Sequence, residues 1–194
     1  DSNYVNGAWT LLCYDTLTGC MATSNTVFVN IDPVPPMPIA TNNGPICLGD
    51  SVELSAVISL GTISIWYSDS LLINVIDTGR VISVGGVITN STFYVQQVSP
   101  NGCLSTIGST TVNLHPIITP VVYQDTVEVC IGEDIQLGVL TNGTTYSWSG
   151  PNSYTSLLQN PIISSATITD AGTYVISMTD NNACHSLTDT ITVL

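Results

Sequence analysis

The apolar positions of this chain fall in short alternating runs and almost nowhere in helical spacing. Val52, Leu54, Ala56 and Ile58 alternate with polar residues across 51–58, the period-2 pattern of a half-buried strand. Similar runs occupy Thr62 to Tyr67, Arg80 to Val84, Thr92 to Val98 and Thr110 to Leu114. Gly85-Gly86, Thr89-Asn90-Ser91 and the hairpin turn Ser99-Pro100-Asn101-Gly102 separate them. A second series reads Ile135 to Leu140, Thr145 to Trp148, Ala166 to Ile168, Tyr174 to Met178 and Thr188 to Val193. Ahead of both, Ala8 to Tyr14 reads as one strand, Asp15 to Gly19 as a turn, and Thr26 to Ile31 as a closing strand. Short strands at such spacing, with Gly, Asn and Pro turns, predict an all-β chain of the sandwich kind.

The two series are copies of each other. Cys47 and Cys130 lie 83 residues apart, Trp66 and Trp148 lie 82 apart, and Cys103 and Cys184 lie 81 apart. Cys20 precedes Cys103 by 83, so residues before the linker match the end of a further copy. A period of this length marks an array of like domains. The expected organisation is a closing hairpin of an incomplete repeat over 1–32, a proline-rich linker over 33–38, and full repeats over 39–116 and 117–194. Pro33, Pro35, Pro36 and Pro38 favour an extended, semi-rigid spacer. Pro116 and Pro120 punctuate the next junction. Short stiff linkers between like domains make a rod. A lone hairpin is marginal in water, so residues 1–32 call for partners from an upstream domain or another chain. The start partway through a repeat, with no signal peptide in Asp1-Ser2-Asn3-Tyr4, predicts a fragment of a longer protein.

Composition narrows the partners. Arg80 is the single basic residue against fourteen acidic ones, and the net charge is −13. A phosphate backbone and an anionic membrane surface both need clustered Lys and Arg, so nucleic acid and such membranes are excluded. No apolar run reaches the length of a membrane span. Charged residues make up only 8% of the chain, leaving little material for exposed helix faces.

The six cysteines divide evenly: Cys13 and Cys20 before the linker, Cys47 and Cys103 in one full copy, Cys130 and Cys184 in the other. No CxxC pair supports zinc. One pair per repeat reads as one disulfide per domain, and hence as an oxidising, extracellular setting. A Cys47–Cys103 bridge would close a loop of 56 residues and stabilise by roughly 4 kcal/mol. For Cys13 and Cys20 two arrangements stay open, a bridge across the hairpin or a partner for Cys20 upstream.

Asp170-Ala171-Gly172-Thr173-Tyr174 fits the D-x-G-x-Y pattern before strand F of immunoglobulin-type sandwiches, where the tyrosine hydroxyl bonds back across the corner. Trp66 and Trp148, 19 and 18 residues after the first cysteine, fit the buried tryptophan of strand C. Gln96 and Ile176 stand where the antibody type has its second cysteine, and Cys103 and Cys184 follow beyond the F–G turn. The bridge is therefore expected to brace an end or edge of the sandwich. The order C-x-G-(D/E), W, T-x-Y or G-T-Y, N-G-C or N-A-C resembles the immunoglobulin-like and PKD-like repeats of very large Bacteroidetes cell-surface proteins. Those proteins are secreted by the type IX system and include the adhesins of gliding motility. The resemblance implies tandem immunoglobulin-like sandwiches and a stalk or adhesin role at the cell surface.

The same resemblance implies O-glycosylation at Asp-Ser/Thr-apolar triplets: Thr16, Ser51, Ser70, Thr126 and Thr190. Against it stands the ordinary occurrence of Asp before Ser or Thr at strand starts. Gly49-Asp50-Ser51-Val52 matches an esterase nucleophile block, but the second copy has Gly132-Glu133-Asp134-Ile135 there, so a turn is expected. His115 and His185 have no counterparts in the other copy, and no Ser/His/Asp set repeats. Glu133-Asp134 and Asp180-Asn181-Asn182 offer oxygens to calcium without a binding-loop spacing, and solvated turn acids are the preferred reading. No cofactor and no enzymatic activity are expected. The expected function is mechanical: a stalk segment of an adhesin or extracellular filament whose partners are neighbouring repeats, with the surface or glycan ligand unspecified. Two alternatives stand beside it. One is a carbohydrate-binding module, which needs an exposed aromatic platform; the other is a self-assembling fibre subunit completed by strand donation.

Overall fold

The computed structural model describes residues 6–194; residues 1–5, where the expected 1–32 segment begins, lie outside the described residues. The chain divides into two compact units, Asp1–Thr41 with Ser55–Ile82 and Phe93–Ser109, and Asn42–Leu54 with Ser83–Thr92 and Thr110–Leu194. Among the described residues the structure is all β apart from two single turns of 3-10 helix. Among the described residues no helix is long and apolar enough to cross a membrane.

In the N-terminal segment β1 (Gly7–Trp9) pairs with β4 (Val27–Val29), and β2 (Leu12–Tyr14) with β3 (Met21–Thr23). The single strand expected over 8–14 is thus two strands, and β3 went unpredicted. The ladder breaks at Leu11, whose N–H donates to Ser24 Oγ at 2.8 Å while Ser24 N–H donates to Leu11 O at 2.8 Å. A serine hydroxyl replaces the ladder partner there.

Strands β5 (Ile39–Asn42), β6 (Val52–Val57) and β9 (Val81–Val84) form one sheet in the order β5-β6-β9. Strands β7 (Ile63–Tyr67), β8 (Val75–Thr78), β10 (Ser91–Val98) and β11 (Gly108–Val112) form another, in the order β11-β10-β7-β8. Alternation buries every second residue: Val52, Leu54 and Ala56 on β6, Phe93, Val95 and Gln97 on β10. β5 and β8 were not foreseen. β8 lies at the sheet edge with no buried residue, so burial leaves no period-2 signature on it.

The remaining strands are β12 (Thr126–Val127), β13 (Ile135–Gln136), β14 (Thr145–Gly150), β15 (Tyr154–Ser156), β16 (Ile162–Ile163), β17 (Gly172–Thr179) and β18 (Asp189–Val193). They make a five-stranded sheet, β12-β18-β17-β14-β15, and a two-stranded sheet, β13-β16. The core includes Ile135, Leu137 and Val139 together with Trp148, Tyr174 and Ile176. The strand expected over 135–140 is cut to two residues. Leu137 N–H donates to Pro161 O at 3.0 Å, and Pro161 has no N–H to return, so the ladder stops. Ala166 to Ile168, expected as a strand, is instead loop and 3-10 turn. Ala166 is bonded to the backbone of Gly132 and Glu133, and Thr167 and Asp170 form a reciprocal capping box around the turn Ile168–Asp170.

Candidate functional site

One disulfide is present, Cys47–Cys184, with Cα atoms 5.3 Å apart and a sequence separation of 137. Cys13, Cys20, Cys103 and Cys130 are free thiols. The pairing expected within each repeat is therefore corrected, and geometry supplies the reason. Leu194 N–H bonds Val127 O, and Val193 stands opposite Gly172, so the chain entering Cys130 lies at the start of β17. Cys184 lies in the turn beyond the other end of β17, its carbonyl accepting from Asp180 N–H at 3.1 Å. Eight residues of strand span about 23 Å, whereas a disulfide needs Cα atoms within about 7 Å. In the first copy Cys47 likewise precedes β6 and Cys103 follows β10.

The open Cys13–Cys20 bridge is not formed either. Cys13 pairs with Ala22 across β2 and β3, which puts Cys20 two residues along the diagonal. Diagonal neighbours sit about 7–8 Å apart, outside disulfide reach.

Beside the Cys47–Cys184 bond lies a cleft of about 400 Å³ lined by Leu48, Asp50, His115, Pro116 and His185 among others. Asp180 holds the turn that presents Cys184. Its Oδ1 accepts Cys184 N–H at 2.9 Å and Asn182 N–H at 2.8 Å. Those bonds, Cys184 foremost, hold the Asp180 carboxyl below its ordinary pKa; His115 acts in the same direction and desolvation opposes. The other acids considered for calcium are engaged similarly. Glu133 Oε2 accepts Cys130 N–H at 3.3 Å, and Asp134 Oδ1 accepts Ser165 N–H at 3.1 Å. Among the described residues no three His, Cys, Asp or Glu side chains are grouped to hold a metal ion.

Trp66 and Trp148 are core residues, 0% and 1% exposed, whereas Trp9 is 56% exposed. Trp66 Nε1 donates to Gly79 O at 3.0 Å, and Trp148 Nε1 donates to Leu158 O at 3.1 Å. Neither offers a sugar-binding face. Tyr174 makes the corner expected of it, its hydroxyl donating to Asp170 O at 2.9 Å. Burial pushes the Tyr174 hydroxyl pKa up, and the Asp170 charge adds to this. The first copy has no such corner. Trp148 faces Ile176 and Trp66 faces Val95, so the equivalent of Tyr174 is Phe93, which carries no hydroxyl. Val95, not Gln96, is accordingly the counterpart of Ile176. Thr16, Ser51, Ser70, Thr126 and Thr190 are all exposed. The aspartates before Thr16 and Ser70 accept backbone N–H groups of their own turns, Asp15 from Leu17 and Thr18, Asp69 from Leu71, Ile73 and Asn74.

The buried Gln97 ties the proline segment to its unit. Its Oε1 accepts from Ser59 N–H at 2.8 Å and from the Thr62 hydroxyl at 2.7 Å, and its Nε2 donates to the Pro36 carbonyl. Asn101 Nδ2 donates to the Asp32 carboxylate. Residues 35–116 match the family model described as an Ig-like domain, CHU_C associated. Over this stretch the chain is similar to that family. No curated protein matches the chain. Among solved structures the chain is similar to the three N-terminal domains of the Highly Immunogenic Outer Capsid protein (Hoc) of bacteriophage RB49. That likeness has 16% identity and a TM-score of 0.37, covering 97% of this chain and 78% of that one. It is also similar to fibronectin(III)-like modules of Clostridium thermocellum CbhA, at 14% identity and a TM-score of 0.33, covering 80% of this chain and 93% of that one. A third likeness is to murine CEACAM1b, at 14% identity and a TM-score of 0.33, covering 83% of this chain and 99% of that one.

Proposed function

We propose that this chain is a stalk segment of a bacterial cell-surface adhesin or extracellular filament. Tandem Ig-like repeats, 39–116 and 117–194, with proline linkers hold a binding tip away from the cell. The observation that carries this reading is the path of the Cys47–Cys184 bond. Strands β6 to β17 all lie inside the loop it closes. Tension along the backbone passes from β5 through Cys47 to Cys184 and β18, and bypasses both tryptophan-centred cores. A covalent shunt of this kind suits a segment that is pulled. The bond also fits an oxidising, extracellular site, and the tying of Pro36 and Asp32 by Gln97 and Asn101 suits a stiff spacer. Neighbouring repeats of the same polypeptide are the proposed partners. The exposed hydroxyls of Thr16, Ser51, Ser70, Thr126 and Thr190 are the proposed glycan acceptors, which intact-mass measurement on native protein checks.

Single-molecule stretching from the two termini tests the shunt. The oxidised chain should release no length from residues 48–183. A Cys47→Ser chain should yield a further contour of roughly 470 Å, at about 3.4 Å for each of the 137 residues. Equal extension of the two chains would remove the mechanical argument. Burial of Trp66 and Trp148 counts against the carbohydrate-binding alternative at those two positions.

A further inference from the structure

In the two full copies each cysteine-bearing segment is built twice, with the same hydrogen bonds. In the loop before β6, Asp50 N–H bonds Cys47 O, Gly49 N–H bonds Val87 O, and Val87 N–H bonds Asp50 O. Before β13 the same three bonds recur: Glu133 to Cys130, Gly132 to Ala166, and Ala166 to Glu133. Gly49 and Gly132 share a left-handed φ of 84° and 91°. The turns after β10 and β17 correspond as closely. Ser99 N–H bonds Cys103 O as Asp180 N–H bonds Cys184 O, and Ser105 N–H bonds Gln97 O as Ser186 N–H bonds Met178 O. Ser99 Oγ and Asp180 Oδ1 accept the N–H of Cys103 and Cys184, and Ser105 Oγ and Ser186 Oγ accept the N–H of Gln97 and Met178.

The bond that exists joins unlike segments of different copies, the loop of the first to the turn of the second. Left over from the two full copies are one loop and one turn of the same builds, those of Cys130 and Cys103. Cys130 is exposed, in an open depression of about 470 Å³ lined by Glu128, Val129, Glu133 and Leu194. Cys103 is a free thiol, half-buried in its turn.

We propose that Cys130 bonds the turn cysteine of a further Ig-like repeat of this build, and Cys103 the loop cysteine of another. Cys47–Cys184 is then one rung of a series that staples each repeat to the next. This rests on the stalk reading. Each new rung forms by thiol–disulfide exchange with a small disulfide oxidant. The two thiols give up two protons and two electrons as their S–S bond forms, and the oxidant leaves as two thiols. The incoming repeat comes either from the same polypeptide or from a second copy of the chain. In the second case Cys130 of one copy meets Cys103 of the next, a head-to-tail contact that does not close.

The test uses the full chain with Cys13→Ser and Cys20→Ser, equilibrated in a glutathione redox buffer and mapped without reduction. In one arm residues 114–194 are repeated once after Leu194, with Cys103→Ser and with the added loop cysteine replaced by serine. A linked peptide joining Cys130 to a Cys184-type turn, with Cys47 still bonded, is expected. In the other arm Cys103→Ser and Cys130→Ser chains are mixed, and a Cys130–Cys103 dimer is the outcome sought. A link in the first arm alone assigns the partner to the next repeat of the polypeptide; a link in the second arm assigns it to a second copy. Cys130 still open to alkylation in both arms overturns the proposal. So does a link gained only by freeing Cys47, or Cys130–Cys130 pairing as the main product. Failure here leaves the tension shunt of Cys47–Cys184 to stand or fall by the stretching experiment.

Discussion

At the residue scale the second copy is held by close contacts around Tyr174. Its ring meets Tyr154 edge-on, with centroids 5.4 Å apart, and its hydroxyl ties down Asp170 O. Tyr174→Phe should lose about 1 kcal/mol by urea denaturation, the worth of one hydrogen bond. A loss below a few tenths would mean that the corner is not a stabilising contact. Gly150 is needed because a Cβ there would stand 2.3 Å from Tyr174 Cδ1. Gly150→Ala should cost about 1–3 kcal/mol by overpacking in the same assay. Asp180 brings a pH dependence. Its folded pKa lies below the unfolded value, so the unfolded chain takes up its proton first as pH falls. The stabilisation is whole above the ordinary carboxylate range, about 3.9, and is lost as pH drops through the lower folded value. Asp180→Asn should therefore flatten the acid limb of a stability–pH profile below about pH 4. An unchanged limb would assign it to the other acids. The D-x-G-x-Y motif made Tyr174 legible. Phe93 was obscured by the neighbouring Tyr94, because only the pairing of β10 with β7 says which of the two faces the core.

At the scale of elements, the cysteine pairing turned on a strand count. The alternating runs show four strands between Cys47 and Cys103, and four between Cys130 and Cys184. An even number of up-and-down passages returns the chain to the end it left, where a bridge within the repeat is natural. The structure has five in each copy, β6 to β10 and β13 to β17. An odd number leaves the two cysteines at opposite ends. The strands that alter the parity are β8 and β15, both without a buried residue, and period-2 burial cannot announce such strands. Among the loops, that of 59–62 is tied to β10 by the Gln97 side chain. Gln97→Ala should cost about 1–3 kcal/mol, since it leaves the Ser59 N–H without its acceptor, while the Thr62 hydroxyl keeps Ser59 O. It should also quicken amide exchange at Ser59, and unaltered exchange there would refute the assignment.

For the whole molecule the Cys47–Cys184 bond outweighs any single contact. Closing 137 residues stabilises by about 5 kcal/mol on the chain-entropy model. Cys47→Ser should therefore lower the denaturation midpoint well beyond the residue-scale variants, and a loss under about 1 kcal/mol would argue against the staple. The acidic balance, with one basic residue in the chain, keeps a surface rich in exposed apolar side chains such as Phe28, 81% exposed, self-repelling. The sequence by itself determined the all-β class, the eighty-residue period, the two buried tryptophans and the corner tyrosine. These follow from local alternation and from spacing, which need no knowledge of distant contacts. Only the tertiary structure decided which cysteines meet. That depends on which end of a sandwich each loop occupies, and edge strands without a buried face settle it unseen in the linear pattern.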